Sequence, residues 1–367
     1  MDKMRHLVMC ILGAAISLPA WAQWTWNDPC ACAFPVFQNQ GFSEEIGKEF
    51  QRLPDRAKPE VREAVWNLSQ ETAGLALCFR TDARELKVRY QVKGGYAMPH
   101  MPSTGVSGVD LYQTDGQGRW TICFSNYSFG DTIAYSYQIK NETEGMVSYY
   151  LYLPLYNGVK WLQVGVPEGS RFEYVPASTE EPIVVYGTSI AQGACASRPG
   201  MAWTNIVQRT LQCPVVNLGF SGNGRLEEGV LDFIGEIPAR LYVIDCMANL
   251  PDEPDEVIYE RALAAVRQLR AKHDTPILLV EHAGYCQAES DTTQFHRYHH
   301  TNLALRRAYR TLKEEKVPNL FYLSHDELNY HPDSWVDYVH PSDWGMRQQA
   351  EAVISKARTI LGPIKTK

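Results

Sequence analysis

The second half of the chain contains five short, mainly apolar runs separated by segments long enough to form helices. The runs lie at 183–186, 215–218, 241–244, 277–280 and 320–323. Helices are expected between and after them, at about 201–211, 226–234, 256–272, 293–315 and 344–361. Short apolar runs that alternate with amphipathic helices are typical of strands buried on both faces of a parallel sheet. The pattern therefore predicts a five-stranded parallel sheet with helices on both faces, an α/β/α arrangement.

Chemically useful residues follow these strands at the points where they end. Ser189 comes after the first strand, Gly222 after the second and Asn249 after the third. Asp337 and His340 follow the fifth strand and its loop. Because parallel strands end at one edge of a sheet, we expect these residues to lie close together. They supply a nucleophile, a backbone donor, a carboxamide donor, and a base with an orienting acid, which is what acyl transfer requires.

The first half is patterned differently, with apolar and polar residues alternating over short stretches. Strands are predicted at 86–92, 120–124, 149–155 and 161–166. Asn157-Gly158 lies between the last two and is typical of a hairpin turn. Several short strands with intervening turns predict a β-sandwich.

Three segments are expected along the chain. Residues 1–22 carry Lys3 and Arg5, then an apolar run and Ala-Trp-Ala, which is typical of a cleaved signal peptide. The β-sandwich would span 23–178 and the α/β domain 179–367, with the boundary in a polar segment bracketed by prolines. The protein is therefore expected to be exported, to the periplasm or outside the cell.

Charge and composition exclude some classes of partner. The net charge is -7 and no basic patch is visible, so we expect no nucleic acid as a partner. No run after residue 22 approaches the roughly 20 apolar residues of a membrane span. Nine cysteines are present, eight of them after residue 22, and their spacing leaves disulfide pairing open. The sequence also leaves the oligomeric state open.

The order of the strand-end blocks resembles that of the SGNH/GDSL hydrolase superfamily, named for Ser, Gly, Asn and His. Its nucleophile block corresponds to Gly-Thr-Ser-Ile at 187–190. Two positions depart from the common pattern: Thr188 replaces the Asp of Gly-Asp-Ser-Leu, and Leu250 stands where many members have Asp. Gly-Val-Asp-Leu-Tyr at 108–112 also resembles the GxDLY signature of a small β domain that precedes one bacterial branch of these hydrolases.

This resemblance implies a flavodoxin-like three-layer α/β/α domain that needs no cofactor and no metal. It implies that Ser189 is the nucleophile, His340 its base and Asp337 the group that orients the ring. The oxyanion hole would consist of the backbone N–H groups of Ser189 and Gly222 and the side-chain amide of Asn249. Exported relatives include carbohydrate acetylesterases, so the resemblance implies a serine esterase that removes short acyl groups, above all acetyl, from a carbohydrate.

Further residues near the blocks are candidates for substrate contacts. These are Gln192, Arg198, His282 and Trp344. The loop 96–102, which contains His100, either reaches over the site or covers a sheet edge. Asp110, inside an apolar strand, is either satisfied by backbone or Arg partners within the sandwich or faces the domain junction.

Other functions have weaker support in the sequence. An α/β-hydrolase would have Gly two residues after the nucleophile, where Ala191 stands. A non-catalytic glycan-binding protein would not need every catalytic residue type. An acyltransferase or a lipase-like esterase would share the acyl-enzyme, and both stay open. His296 and His300 lie one helical turn apart without a third ligand, so we expect no metal site there.

Overall fold

The computed structural model describes residues 23–115, 118–140 and 145–363. The predicted signal peptide, 1–22, lies outside the described residues. No helix among the described residues is both long and apolar enough to cross a membrane.

The first half is built from short antiparallel strands. They are β1 (Trp24–Asn27), β2 (Phe37–Gln38), β3 (Ala76–Thr81), β4 (Glu85–Val92), β5 (Asp110–Thr114), β6 (Trp120–Ile122), β7 (Ser125–Ser128), β8 (Ile133–Gln138), β9 (Val147–Tyr152), β10 (Val159–Pro167) and β11 (Phe172–Tyr174). One sheet has the order β1-β10-β4-β8-β7, and the other has the order β11-β3-β9-β5-β6 with β2 paired to β3. Short helices α1 (Ser43–Ile46), α2 (Glu63–Ser69) and α3 (Ser103–Val106) lie between strands.

The two sheets of the first half share one apolar core. Alternate residues of β4, such as Val88 and Tyr90, point into it, and Phe79 and Leu151 enter it from the other sheet. This alternation is the pattern expected of strands with one buried face. The predicted β-sandwich is confirmed.

The predicted hairpin at Asn157-Gly158 is wrong. β9 and β10 belong to different sheets and do not pair with each other. The Asn157 side chain instead accepts a hydrogen bond from the N–H of Gly94 at 2.8 Å and donates to the carbonyl of Gly95 at 2.9 Å. The Asn-Gly pair therefore marks a crossing between sheets, fixed by the side chain of Asn157.

The second half contains the predicted parallel sheet. Its strands are β12 (Ile183–Gly187), β13 (Val215–Gly219), β14 (Leu241–Asp245), β15 (Ile277–Val280) and β16 (Leu320–Leu323). They are ordered β13-β12-β14-β15-β16 and every pairing is parallel. The strands are almost wholly buried, as expected for a sheet covered on both faces.

Helices cover both faces of this sheet. They are α4 (Ser189–Gln192), α5 (Trp203–Leu211), α6 (Glu228–Ile234), α7 (Asp255–Lys272), α8 (Thr292–Glu314), α9 (His325–Leu328) and α10 (Asp343–Leu361). Apolar residues of α6, α7 and α8 pack in one core, and those of α5 and α10 pack in the core on the opposite face. The helix predicted from about residue 226 begins at Glu228, because Leu226 has a left-handed φ of 58°.

The first half is joined to the end of β13 by a buried arginine. Arg52 is 2% exposed and donates to the carbonyl oxygens of Asn217 at 3.1 Å and Gly219 at 2.7 Å. Burial lowers the pKa of Arg52 to about 10, although the nearby Glu71 carboxyl opposes this shift. A first-half side chain thus supports the strand whose loop carries Gly222.

Candidate active site

The nucleophile candidate lies at a crowded strand end. β12 ends at Gly187, Thr188 caps α4 by accepting the N–H of Ile190 at 3.3 Å, and Ser189 is the first helical residue. Gly224 passes so close that a Cβ there would lie 2.2 Å from the carbonyl oxygen of Gly187. Only glycine permits that approach, which brings the loop after β13 against the start of α4.

Ser189, His340 and Asp337 form a continuous hydrogen-bond chain. Ser189 Oγ and His340 Nε2 are 2.9 Å apart, and His340 Nδ1 is 2.7 Å from Asp337 Oδ2. Asp337 Oδ1 accepts the backbone N–H groups of Val339 at 2.9 Å and His340 at 2.7 Å. Burial alone would raise the pKa of Asp337, but hydrogen bonds from the His340 ring and these backbone groups lower it below its usual value. Asp337 is therefore ionised at neutral pH and can hold a positively charged imidazole.

Ser189, Gly222 and Asn249 line the same cavity, and each carries a donor group. The N–H groups of Ser189 and Gly222 have no hydrogen-bond acceptor among the described residues. Gly222 has φ +69° with open space where a Cβ would lie. Asn249 Oδ1 accepts the N–H of Gly224 at 3.0 Å, which leaves the amide NH₂ as a donor. Such donors can stabilise the oxyanion of acyl transfer.

These groups open into a cavity of about 310 Å³. Its lining includes Ser189, Gly222, Asn249 and His340. Other walls carry charged or aromatic side chains: Arg225, Asp252, Arg297, Tyr285 and Tyr338. The cavity is thus small, mostly polar and continuous with the hydrogen-bond chain.

Comparison with protein-family models agrees with this architecture. Residues 180–358 match the GDSL-like lipase/acylhydrolase family, and residues 24–172 match the N-terminal domain, GxDLY, of SGNH-hydrolase-type esterases. The second half is a GDSL-like acylhydrolase domain, and the first half is the GxDLY domain that precedes it. The α/β-hydrolase interpretation is thereby excluded. No curated protein has significant sequence similarity to the chain.

Solved structures show the same two-part fold. A GDSL-like lipase from Bacteroides ovatus is 28% identical with a TM-score of 0.84, covering 92% of this chain and 98% of its own. A salicylyl-acyltransferase from a tetracycline biosynthetic pathway is 17% identical with a TM-score of 0.71, covering 93% and 99%. A family two carbohydrate esterase from Cellvibrio japonicus is 15% identical with a TM-score of 0.53, covering 80% and 90%. The last two share the fold with this acylhydrolase.

The first half contributes directly to the site of this acylhydrolase. The ring of His100 stacks on that of His340, and the Tyr156 hydroxyl donates to the carbonyl oxygen of Ser189 at 3.1 Å. The loop 96–102 therefore reaches over the site, one of its two predicted positions. Met101 anchors this loop in the core of the second half. No sequence pattern predicts the role of Tyr156, because this role depends on contact between segments that are far apart in the chain.

Two of the four predicted substrate residues hold loops together outside the cavity lining. Gln192 is fully buried, and its Oε1 accepts the N–H of Ser221 at 2.9 Å. Its Nε2 donates to the carboxylate of Glu71 and to the carbonyl of Leu155 at 3.2 Å. Gln192 therefore positions the loop that carries Gly222.

Arg198 lies in the contact between the two halves. Its Nη1 donates to Asp110 Oδ2 at 2.8 Å and to the Tyr112 hydroxyl at 2.7 Å. Asp110 Oδ2 also accepts the N–H of Gly200 at 2.7 Å. Asp110 thus faces the domain junction, the second of its two predicted positions, and its backbone and Arg partners both come from the second half. The Asp of the GxDLY signature therefore fixes the segment that follows α4.

His282 and Trp344 also lie outside the cavity lining. His282 is 1% exposed, packs behind the ring of Tyr285, and accepts the N–H of Gly284 at its Nδ1. Burial lowers the pKa of His282 to about 3, so this imidazole is neutral. Trp344 is 57% exposed and donates to His331 Nε2 at 2.7 Å.

Sequence reasoning missed the charged and aromatic walls of the cavity. Arg225 follows the glycine-rich turn after β13 and Tyr338 lies inside the Asp-x-x-His block, so both had a positional signal. Arg297 on α8 and Tyr285 after β15 reach the cavity only through tertiary packing.

Among the described residues, one group of side chains could hold a metal ion. The ligand atoms of His100, Cys195, Asp337 and His340 all lie within 4.8 Å of one another. Asp337 and His340 are already engaged in the hydrogen-bond chain, so a metal there would compete with it. The eight described cysteines are all free thiols. On α8, His300 contacts Asp255 and the carbonyl of Pro251.

Proposed function

We propose that this acylhydrolase is an exported serine esterase that removes short acyl groups, most often acetyl, from carbohydrate. The observation that carries the proposal is the chain from Ser189 Oγ through His340 to Asp337, which opens into the cavity. Export rests on the signal-peptide pattern of residues 1–22.

In the proposed reaction, Ser189 Oγ attacks the ester carbonyl while His340 Nε2 accepts its proton. Negative charge on the carbonyl oxygen is stabilised by the N–H groups of Ser189 and Gly222 and by the amide of Asn249. As the bond between the carbonyl carbon and the sugar oxygen breaks, His340 gives the proton to that oxygen, which releases the sugar hydroxyl and leaves an acyl-enzyme. Water activated by His340 releases the acid and restores Ser189. Asp337 stabilises the imidazolium in both halves of the reaction.

The cavity favours a small acyl group on a polar alcohol. A volume of about 310 Å³ with arginine, aspartate and asparagine in its walls offers little apolar surface to a long chain. Tyr285 and Tyr338 have ring centroids 5.8 Å apart, and Tyr338 is 52% exposed. The exposed ring of Tyr338, packed against the buried ring of Tyr285 and close to polar groups, suits stacking on a sugar ring. This wall therefore supports a carbohydrate and disfavours a lipase-like substrate.

Hydrolysis by the Ser189→Ala variant tests the proposal directly. The variant should fold like the wild type and hydrolyse p-nitrophenyl acetate no faster than a blank. A chain-length series of p-nitrophenyl esters, run beside acetate release from acetylated xylan and pectin, tests the acyl group and the alcohol. Octanoate preference with no acetate released from either polysaccharide would refute the carbohydrate assignment. Ester formation with an added alcohol in preference to hydrolysis would indicate an acyltransferase.

A further inference from the structure

The cavity carries more positive than negative charge, although the whole chain is acidic. Arg225 and Arg297 both line it, and Asp252 is the carboxylate in its lining. The chain has a net charge of -7. A local excess of positive charge in an acidic protein attracts an anion to that place.

One of the two arginines is neutralised within the protein. Arg297 Nη2 donates to both carboxylate oxygens of Asp252, at 2.9 and 3.1 Å. The carboxylate nearest to Arg225 in sequence, Glu227, is bound by both Nε and Nη2 of Arg62 from the first half. The carboxylate in the cavity lining and the carboxylate nearest to Arg225 in sequence are therefore both already paired.

Arg225 itself is held in place but not neutralised. Its Nε donates to the carbonyl oxygen of Gly222 at 3.0 Å. No carboxylate among the described residues forms an ion pair with it, and its Nη atoms have no acceptor there. The guanidinium is thus fixed beside the cavity with its terminal donors available, the arrangement that binds a carboxylate through two parallel hydrogen bonds.

We propose that Arg225 binds a carboxylate of the substrate, so that the preferred substrate is an anionic ester. This inference rests on the proposed esterase function. Arg225 is hydrogen-bonded to Gly222, and the N–H of Gly222 is assigned to the oxyanion hole. The carboxylate that Arg225 binds should therefore lie within a few bonds of the reacting carbonyl. Two sources have this chemistry: a uronic acid that carries or adjoins the esterified sugar, or an acyl group that is itself a dicarboxylic half-ester.

Matched pairs of esters separate these sources and test the residue. For the sugar, acetate release from acetylated oligogalacturonate is compared with release from the same oligosaccharide with its carboxyls methyl-esterified. For the acyl group, mono-4-nitrophenyl glutarate is compared with 4-nitrophenyl pentanoate. In Arg225→Gln, the anionic-to-neutral ratio of kcat/KM should fall about ten- to a hundredfold in one pair, as expected for a lost hydrogen bond to a charged group. The pair that responds identifies the source.

Two further variants test whether the effect of Arg225→Gln is specific to the guanidinium of Arg225. Arg225→Lys should keep part of the ratio, because it retains the charge but loses the paired geometry. Arg347→Gln removes an exposed arginine of α10 that is paired with Glu351, and should leave both ratios unchanged. Equal losses on the anionic and neutral members of both pairs in Arg225→Gln would show that Arg225 only supports the Gly222 loop, and would overturn the proposal.

A binding measurement separates this proposal from the esterase function. Calorimetry on Ser189→Ala, titrated with oligogalacturonate and separately with glutarate, should show binding of one anion that weakens at least about tenfold in Ser189→Ala/Arg225→Gln. If the wild type hydrolyses no ester, the esterase proposal fails while this titration still decides on Arg225. Binding of neither anion would refute the assignment of Arg225.

Discussion

The imidazole rings of His100 and His340 lie nearly parallel, with centroids 5.5 Å apart and planes inclined by 17°. His100 comes from the loop between β4 and α3, whereas His340 precedes α10. Helix α3, which follows this loop, is tied to the second half by Thr104, whose hydroxyl donates to the carbonyl of Ser197 at 2.7 Å. A ring from the first half therefore restricts the ring that faces Ser189.

Removing the stacked ring should slow turnover more than it weakens substrate binding. Aromatic pairs are worth about 0.5–1.5 kcal/mol, so His100→Ala should lower kcat for p-nitrophenyl acetate about two- to thirteenfold with little change in KM. His100→Phe should restore most of kcat, because it keeps the ring. His296→Ala, at an exposed position of α8, serves as the control. A rise in KM alone would mean that His100 contacts substrate and does not position the base.

Removing the side-chain amide of Asn249 should destabilise the transition state more than it weakens substrate binding. Asn249→Ala should lower kcat about 10²–10³-fold, the usual cost of one oxyanion donor, with a smaller change in KM. Because Asn249 Oδ1 also accepts the N–H of Gly224, the melting temperature of the variant should be measured alongside its kinetics. A normal kcat in a folded variant would remove Asn249 from the oxyanion hole.

A buried acid at the end of β14 should make the fold less stable as pH rises. Asp245 is 5% exposed and its Oδ2 accepts a hydrogen bond from Gln349 Nε2 at 3.1 Å. Burial raises the pKa of Asp245 to about 7 from its usual 3.8, although the Gln349 hydrogen bond opposes this. The folded state then holds a proton that the unfolded state releases, so stability falls between about pH 4 and pH 7.

The isosteric variant Asp245→Asn cannot ionise and should lose this pH dependence. Its melting temperature should exceed that of the wild type at pH 8, with little difference at pH 4. Asp274→Asn, at an exposed position before β15, is the control. If the melting temperatures of wild type and Asp245→Asn changed equally with pH across this range, Asp245 would not be the source of the pH dependence.

Zinc should inhibit the enzyme by occupying the group His100, Cys195, Asp337 and His340. Zinc prefers such nitrogen and sulfur ligands, and binding here would draw His340 away from Ser189. Micromolar Zn²⁺ should abolish hydrolysis of p-nitrophenyl acetate, and EDTA should restore it. Cys195→Ser should need about tenfold more zinc, whereas Cys286→Ser, at an exposed thiol, should behave like the wild type. Equal inhibition of both variants would place the ion elsewhere.

The sequence was most informative where local pattern decides structure. The apolar runs 183–186 and 241–244 were predictable as strands because a strand buried on both faces is largely apolar. The convergence of Ser189 and His340 followed from the shared edge of a parallel sheet. Their catalytic roles remain predictions. Gln192 was assigned to the substrate because of its position after Ser189, yet its amide is used to hold the neighbouring loop. Nothing in a sequence shows which partner a buried amide will find.

Contacts between the halves were the least predictable part. Tyr156 is 33 residues from Ser189, whose carbonyl it binds, and Arg52 is 165 residues from Asn217. Such pairs depend on how the β-sandwich and the α/β domain pack against each other. The spacing of apolar residues predicts strands and helices but not this packing. The hairpin at Asn157 failed for the same reason, because its side chain serves the loop at Gly94 and Gly95.

The buried guanidinium of Arg52 has a consequence for how such proteins change over generations. It binds carbonyl oxygens on both sides of the junction, at Leu68 and Glu71 in the first half and at Asn217 and Gly219 in the second. A recombination event that exchanged only one half would leave either the buried guanidinium or the carbonyl groups that it binds without a hydrogen-bond partner. The two halves should therefore be inherited together, and new specificities should arise by substitutions within this pair and not by domain shuffling.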